Sequence, residues 1–291
     1  MVRVLRFGII VLALALAAPI TSDAAKPQRI ASLNVCTDQL VIALAERSRI
    51  ATVTFLAPNP DTSFYHREAK GLPINRGAAE EVLALKPDLI VAGTYTTPAT
   101  TALLKKLGHR VELFDPDDSL KRMRKNIRRM ALLLGESEKA EQLISNMDRR
   151  LAAVIQAGMK QQPVAVIFRA NGFTMGKHSL INDILTLAGF RHLSAEMAMD
   201  QAGFLPLEKM IAADPALIIF GQYKPNHPSI AHQLLEHPAL KSLLASRAGG
   251  KSRDSIIIPS NLWNCGGPFI AEAVEMLARK HKTLSRAGVS P

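Results

Sequence analysis

The chain has 291 residues, of which 48% are hydrophobic and 21% are charged, and its formal net charge is +11. This composition is typical of a globular protein and excludes a disordered or collagen-like chain. At about 100 to 200 residues per domain, the length predicts two domains or two lobes and excludes a single small domain.

The N-terminal segment has the pattern of an export signal. Two arginines precede an apolar stretch, residues 7–18, that is too short to span a bilayer, and small residues follow it. We therefore expect a signal peptide over residues 1–25, cleaved near Ala24 or Ala25, and a mature protein in the periplasm. A retained N-terminal anchor is the alternative, and it would need about 20 apolar residues.

Short β-branched runs alternate with amphipathic segments in the rest of the chain, which indicates parallel strands covered by helices. In the first half, strands are predicted over 30–34, 50–54, 88–93 and 111–114. Helices are predicted between these strands, over 38–45 and 99–107. A second series of strands is predicted over 164–169, 217–221 and 255–259. The alternation therefore predicts an α/β protein made of two units.

The middle of the chain, between these two units, is its most helical part. Ser119 is placed to cap a helix that ends at Gly135, and Ser137 is placed to cap a second helix that reaches Gly158. The second helix needs about 20 residues and spans roughly 30 Å, so we expect a rigid connection. The predicted division is an N-terminal α/β lobe over 26–136, a connecting helix over 137–162 and a C-terminal α/β lobe over 163–291.

Six basic residues occupy the polar face of the first of these helices, at positions 121, 122, 124, 125, 128 and 129. Such a run is most often a solvated helix face. Nucleic-acid binding is the alternative, but aromatic residues make up only 5% of the chain and offer no stacking surface for bases. We therefore expect no nucleic-acid partner.

An internal repeat relates the two units. Residues 80–95 align without a gap to residues 208–223, and seven of the 16 positions are identical, where about one is expected at random. Each copy predicts a short helix, a Pro, a buried strand and then Gly with Tyr two positions later. Ligands of open α/β sheets bind at the carboxyl ends of the strands, so we expect Tyr95 and Tyr223 beside a crevice between the lobes. Packing of each Tyr on its own loop is the alternative.

No motif of the sequence carries a recognisable catalytic or metal-binding arrangement. The segment from Gly172 to His178 resembles a phosphate-binding loop, but it has three residues between its glycines instead of four, and His replaces the Ser or Thr. His227, His232 and His237 recur every five residues, which rotates each by about 140° on a helix, so they share no face. The sequence therefore predicts a binding protein without a directly bound metal, and not an enzyme.

The two cysteines, Cys36 and Cys265, each follow a predicted strand that is expected to end at the same crevice. Two cysteines are too few for the disulfide framework of a small secreted protein. Two alternatives stay open. One is a single bridge that closes a very long loop, and the other is a pair of buried thiols that behave as small hydrophobic side chains.

Residues that follow the predicted strand ends are the candidates for ligand binding. They are Cys36, Thr37, Phe55, Tyr95, Phe173, Tyr223, Trp263 and Asn264. Trp263 is the only Trp of the chain, and Gly266 and Gly267 behind it would allow close approach of the backbone to a ligand. A Trp buried in the core is the alternative.

Several segments together carry a family resemblance. They are the signal peptide, residues 29–38, the Leu-Lys-Pro-Asp-Leu-Ile segment at 85–90, the mid-chain helix, the Phe-Thr-Met-Gly segment at 173–176 and the Trp263 loop. In these segments the chain resembles a periplasmic solute-binding protein of the type that serves ABC importers of ferric siderophores, haem and vitamin B12. The resemblance covers residues 29–284.

The resemblance implies two Rossmann-like lobes joined by one long rigid helix, with a ligand crevice between the lobes. It implies that the protein delivers its ligand to an ABC transporter permease and ATPase complex. It also implies that Glu80 and Glu208, which match the family's docking positions, meet arginines of the permease. We expect the protein to work as a monomer.

The expected ligand is a metal chelate, first of all a ferric siderophore, because the positive net charge suits an anionic chelate. Arg76 and Arg169 are the candidate counter-charges, with ordinary exposed positions as the alternative. Cobalamin is the next candidate, and haem follows it, with Tyr95 or Tyr223 as an axial ligand. No tightly bound cofactor is expected. An exported enzyme or a metal-transfer chaperone is the alternative from another class.

Overall fold

The structure is a computed structural model and describes residues 26–156, 162–221, 235, 237–245 and 254–286. Its first half contains the strands β1 Ile30–Ser32, β2 Ile50–Thr54, β3 Ile74–Asn75, β4 Leu89–Gly93 and β5 Val111–Phe114. They form one parallel sheet in the order β3-β2-β1-β4-β5. The helices of this half are α1 Val35–Leu44, α2 Ala79–Leu83 and α3 Pro98–Lys106.

The second half contains the strands β6 Val164–Ile167, β7 Phe173–Thr174, β8 Arg191–His192, β9 Gly203–Phe204, β10 Leu217–Phe220 and β11 Asp254–Ile257. Four of them form a second parallel sheet in the order β11-β10-β6-β8, and β7 pairs antiparallel with β9. The helices are α6 Leu180–Leu187, α7 Leu193–Glu196, α8 Leu207–Ala212, α9 Pro238–Ala245 and α10 Ile270–Arg286. The two sheets with their helices confirm the predicted two-lobed α/β class.

The start of α1 explains why β1 is shorter than the predicted strand. Asn34 has an extended backbone, and its Oδ1 accepts hydrogen bonds from the backbone N–H groups of Cys36, at 2.8 Å, and Thr37, at 3.4 Å. Asn is a favoured N-cap, so the chain leaves the strand at this residue and turns into a helix. Cys36 and Thr37 therefore lie in the first turn of α1, beside the carboxyl end of β1.

The two halves are connected by α4 Leu120–Leu134 and α5 Ser137–Gln156. Ser119 caps α4 by accepting a hydrogen bond from the N–H of Arg122, and Gly135 follows the helix with a φ of 71°. The expected cap at Ser137 is wrong, because Ser137 is already helical and the preceding carbonyl accepts from the N–H of Ala140. α5 has 20 residues and packs on α4, α6 and α10, so it contacts both lobes.

The sequence repeat is also a structural repeat. α2 and β4 occupy the same places in the first copy as α8 and β10 do in the second. Lys86 and Asp214, at equivalent positions, have φ angles of 47° and 49° and each directly precedes a Pro. A left-handed conformation at a residue with a side chain costs roughly 1 to 2 kcal/mol. Its recurrence shows that both helices turn into their strands in the same way.

The two lobes share one continuous cluster of buried apolar side chains, which runs from β1 and β2 through α4 and α5 to β6, β10 and α10. Polar and aromatic contacts add to it. The backbone N–H of Leu120 donates to Oδ2 of Asp183 at 2.9 Å, and Phe64 stacks on Phe269 with ring centroids 4.9 Å apart. This packing fixes the relative position of the lobes. Among the helices of the described segments, none is long and apolar enough to cross a membrane.

Candidate ligand-binding site

A cavity of about 340 Å³ lies between the two lobes. Its N-terminal wall comes from the residues that follow β1, β4 and β5, because neighbouring parallel strands end at the same edge of their sheet. Its C-terminal wall comes from the loop 263–266 and from Met175, Leu180 and Ile181. The volume is that of a small-molecule site, and both lobes contribute to it.

Five of the expected ligand-binding residues line this cavity. They are Cys36, Thr37, Tyr95, Trp263 and Asn264. Tyr95 is 79% exposed, so it stands at the rim, whereas Trp263 is only 2% exposed. Trp263 therefore belongs to the buried core and also forms part of the cavity wall.

Cys36 and Cys265 are joined by a disulfide bond, with their Cα atoms 5.2 Å apart. The sequence leaves open either a disulfide bridge or two buried thiols, and the structure contains the bridge. Both cysteines line the cavity, one from each lobe. The bond therefore forms part of the wall and fixes the separation of the lobes at this point.

Arg169 lies beside the cavity, although it is not among the described lining residues. Its Nη2 donates to Oδ1 of Asn264 at 2.9 Å, and its guanidinium carbon lies 5.8 Å from the ring centroid of Trp263. Burial lowers the pKa of Arg169, and its buried Nε has no hydrogen-bond partner. Within the described part of the chain, no carboxylate pairs with it. Arg169 is thus a partly desolvated cation next to two residues of the wall.

Besides Arg169, three of the expected ligand-binding residues lie outside the lining, namely Phe55, Arg76 and Phe173. The guanidinium carbon of Arg76 lies 5.9 Å from the ring centroid of Phe55, and Phe173 packs edge-to-face on Phe204 with centroids 5.7 Å apart. Phe204, which was not in the expected set, is also absent from the described lining. Tyr223 falls outside the described residues. The structure therefore separates the described members of the expected set into a group that lines the cavity, Arg169 beside it, and three residues in two surface pairs.

Sequence reasoning missed two carboxylates of the cavity, Asp115 and Asp117, which follow β5. Asp117 accepts hydrogen bonds from Nδ2 of Asn126, at 2.8 Å, and from the backbone N–H of Gly266. Burial raises the pKa of Asp117 to about 6, although these hydrogen bonds act to lower it. Both residues directly follow a predicted strand, and that position was the available signal.

The close backbone approach that was expected at Gly266 and Gly267 is made to protein groups. A Cβ atom at Gly266 would lie 2.2 Å from Oδ2 of Asp117, and one at Gly267 would lie 2.3 Å from the ring of Phe269. Since Asp117 belongs to the N-terminal lobe, a side chain at Gly266 would displace the Asp117 carboxylate from its place between the lobes. This glycine therefore serves the contact between lobes.

The described lining residues include no Lys, Arg or His. Their polar groups are carboxylates, amides and hydroxyls, from Asn34, Thr37, Thr94, Tyr95, Thr96, Asp115, Asp117, Asn126 and Asn264. Across the described segments, no group of three or more His, Cys, Asp and Glu residues is placed to hold a metal ion. His227 and His232 fall outside those segments. The cavity is lined by both hydrogen-bonding and apolar side chains, and Arg169 lies beside it.

Glu80 and Glu208 occupy equal places at the start of two helices. Glu80 is the second residue of α2, Glu208 is the second residue of α8, and both are exposed. A carboxylate in the first turn of a helix is mildly favoured by the helix dipole, by about 0.3 to 1 kcal/mol. Stabilisation of the helix start is therefore a sufficient reason for a glutamate at each position, and both side chains are accessible to a partner.

Both the sequence and the fold are similar to those of known proteins. Residues 30–250 match the family described as "Periplasmic binding protein". Among curated proteins, the chain is 23% identical over 206 residues to an uncharacterized ABC transporter substrate-binding lipoprotein, YvrC, of Bacillus subtilis strain 168. This match covers 67% of the chain and 63% of the relative, which is less than two thirds of the relative's length.

Solved structures with the same fold include the periplasmic heme-binding protein RhuT from Roseiflexus sp. RS-1, with a TM-score of 0.71 and 22% identity. The periplasmic vitamin B12 binding protein BtuF of Vibrio cholerae has a TM-score of 0.68 and 18% identity. Each match covers 89% of this chain and 98% of the solved chain. At these identities the likeness is one of fold. Because the family match extends over most of the sequence, the chain belongs to the periplasmic binding protein family.

Proposed function

We propose that this protein is the substrate-binding component of an ABC import system. It captures a metal chelate in the periplasm and delivers it to an inner-membrane permease and ATPase complex. The observation that carries this proposal is the cavity, which combines strand ends of one lobe with the Trp263 loop of the other. The working form is a monomer without residues 1–25, with lobes over 26–136 and 163–291 and a connecting helix over 137–162.

A ferric siderophore is the ligand that Arg169 favours. This guanidinium is partly buried, and it has no carboxylate partner among the described residues. A desolvated cation is stabilised by an anionic group, and the oxygen donors around the iron of a siderophore carry negative charge. Asn264 and Trp263, which contact Arg169 and line the cavity, support this assignment by joining the cation to the site.

Cobalamin is a second candidate, which the lining itself favours. The carboxylates of Asp115 and Asp117 accept hydrogen bonds, and the described lining adds no Lys, Arg or His to them. Amide groups around a corrin ring donate hydrogen bonds and need no cationic partner. An uncharged chelate rich in amides would therefore suit this wall better than a polyanionic chelate.

Haem is a third candidate, supported by the position of Tyr95. This residue is 79% exposed and lines the cavity, so its hydroxyl is free to approach a ligand in the crevice. A tyrosine phenolate is one of the axial ligands that proteins provide to haem iron. Replacement of Tyr95 by Phe would then remove the visible band of a tyrosinate complex.

One experiment separates these ligands. Native mass spectrometry of the protein purified from its own periplasm identifies the bound chelate by its mass. Titration with a ferric siderophore, haem and cyanocobalamin then compares affinities through the emission of Trp263, the only Trp of the chain. Because each chelate absorbs light, binding should quench this emission saturably. Unchanged emission with all three, together with no chelate in the native protein, contradicts the proposal.

An exported enzyme or a metal-transfer chaperone is the alternative from another class. A transport protein releases its chelate unchanged, an enzyme alters it, and a chaperone passes the bare metal to a second protein. Mass spectrometry of the chelate after release from the protein distinguishes the three. We expect the intact chelate, because the described residues offer no cluster that would hold the bare metal.

A further inference from the structure

Two exposed pairs of side chains lie outside the cavity lining. In the N-terminal pair, the guanidinium carbon of Arg76 lies 5.9 Å from the ring centroid of Phe55. In the C-terminal pair, Phe173 and Phe204 pack edge-to-face with centroids 5.7 Å apart. Phe55 is 48% exposed and Phe204 is 67% exposed. Each lobe therefore presents an aromatic ring to the solvent.

The sequence repeat relates the two pairs. Arg76 and Phe204 lie outside the aligned repeat but at the same offset from its start, because each lies four residues before an exposed glutamate, Glu80 or Glu208, with which the repeat begins. Each lies in or directly after a two-residue strand, β3 or β9, that leads into the short helix of the glutamate. In the N-terminal lobe a hydrogen bond adds to this link, since the N–H of Arg76 donates to Oε2 of Glu81 at 2.7 Å. In both lobes an exposed pair that contains an aromatic ring thus includes a residue four positions before an exposed glutamate.

This combination is typical of a protein interface. Aromatic residues and Arg are enriched among the residues that carry binding energy, because they bury a large area in a fixed geometry. Exposed carboxylates guide a basic partner to the surface and set the rate of encounter. A ring and a carboxylate in each lobe therefore fit one partner that has apolar surface beside basic side chains.

We propose that the two pairs form the apolar part of the surface that docks onto the permease. This inference rests on the proposed function, in which the protein delivers its ligand to a permease, and on the docking role that the family resemblance implies for Glu80 and Glu208. The carboxylates then control how fast the complex forms, and the rings control how long it lasts. Phe55 and Phe173 contact the permease in this arrangement and not the ligand.

The first test is photo-crosslinking of the full chain in cells of its own organism. A photoreactive phenylalanine analogue replaces Phe55, Phe204 or, as a control, Leu132, which is 74% exposed on α4. Crosslinks from the first two positions to a permease subunit that spans the membrane several times are expected. The control should give none. Absence of permease crosslinks from both Phe55 and Phe204 overturns the inference.

The second test measures docking and ligand binding separately. The double variant Phe55→Ser, Phe204→Ser should dissociate at least tenfold faster from inner-membrane vesicles that contain the permease, whereas Leu132→Ser should behave as the parent. Affinities for a ferric siderophore, haem and cyanocobalamin should stay within twofold. A tenfold loss of any of these affinities overturns the inference, because the rings would then contact the ligand.

The same vesicles separate failure of this inference from failure of the proposed function. The reversal variants Glu80→Arg and Glu208→Arg are measured beside the double ring variant. Weak docking of the reversal variants with normal docking of the double ring variant overturns only the role of the two pairs. Normal docking of all three variants overturns the docking role of the two glutamates as well.

Discussion

Arg169 is the residue on which the choice among ligands depends most. Its charge is partly desolvated, its Nη2 donates to Oδ1 of Asn264, and the guanidinium carbon lies 5.8 Å from the ring centroid of Trp263. A charge-assisted hydrogen bond contributes about 1.5 to 3 kcal/mol, so losing it should weaken binding of an anionic chelate by tenfold or more. Binding of an uncharged corrinoid should change much less.

The corresponding prediction compares Arg169→Met with Arg76→Met. The first variant should lose at least tenfold in affinity for an anionic ferric siderophore in a Trp263 fluorescence titration, while cyanocobalamin affinity stays within threefold. Arg76→Met removes an equal charge outside the described cavity lining and should leave both affinities unchanged. Equal losses in the two variants would show that only net charge matters, which contradicts a specific role for Arg169.

His192 gives a prediction about the pH dependence of stability. The residue is 3% exposed, and neither ring nitrogen has a hydrogen-bond partner among the described residues. Burial lowers the pKa of His192 from 6.5 to about 4, so the unfolded chain takes up a proton at a pH where the folded protein does not. This contribution to stability is present above pH 6.5 and is lost as the pH falls toward 4.

The measurement is urea unfolding of the parent and of His192→Leu at pH 7 and pH 5. Between these pH values the parent should lose about 2 kcal/mol relative to the variant, since one pKa unit corresponds to 1.36 kcal/mol. Asp38 is buried with a pKa raised to about 7, so it acts in the opposite direction over the same range. The difference between parent and variant cancels the Asp38 contribution. An equal pH response of both proteins would contradict the assignment.

At the scale of elements, the caps of α4 and α5 give a matched pair of serines. Ser119 accepts a hydrogen bond from the N–H of Arg122, whereas Ser137 is exposed and already helical. We expect Ser119→Ala to lower the free energy of unfolding by about 1 kcal/mol and Ser137→Ala to change it by less than about 0.5 kcal/mol. Chemical denaturation of both variants checks this, and a larger cost at Ser137 would contradict the observed helix start.

The sequence predicts the centres of the elements better than their ends. β2 and β5 match the predicted ranges. β2 is a mostly buried strand rich in β-branched residues, whereas β5 has one β-branched residue and is mostly half-buried. β1 ends two residues early because Asn34 caps α1, and Ser137 lies inside α5 although it has the chemistry of a cap. The first residue of a helix depends on which of several polar side chains accepts a hydrogen bond from a free backbone N–H. The pattern of apolar residues does not contain that information.

The site was predictable only as far as strand ends determine it. Cys36 and Tyr95 could be placed because each follows a strand of the same sheet. The contacts of Asp117 with Gly266 and of Arg169 with Asn264 could not, because each joins loops that are far apart in the sequence. Such contacts depend on how the two lobes pack against each other. The order of residues along the chain does not specify this packing.

At the scale of the whole molecule, the Cys36–Cys265 bond closes a loop across 229 positions of the sequence. A crosslink of this length stabilises the folded state mainly by restricting the unfolded chain, by about 5 kcal/mol. The double variant Cys36→Ala, Cys265→Ala should therefore unfold at a lower denaturant concentration than the oxidised parent. The reduced parent serves as the control and should resemble the double variant. Two free thiols in oxidised, denatured protein would refute the bridge.

Because the two lobes contain the same repeat, each lobe has a glutamate that could act in delivery of the ligand. Glu80 and Glu208 are exposed at equal places of the repeat, so each lobe would engage one half of a permease. If they only stabilise their helix ends, Glu→Ala would cost about 0.3 to 1 kcal/mol of stability and leave uptake unchanged. If they dock, a charge of the wrong sign would face permease arginines and oppose the complex.

We therefore expect Glu80→Arg and Glu208→Arg to bind the chelate with normal affinity and to lose uptake, and the double reversal to lose more than either single variant. The graded loss follows because each reversal disturbs a different half of the interface. Uptake is measured in cells at matched periplasmic abundance, with Glu138→Arg as the control, since Glu138 is an exposed glutamate in the first turn of α5, outside the repeat. Normal uptake by the double variant would leave helix-end stabilisation as the only role of the two residues.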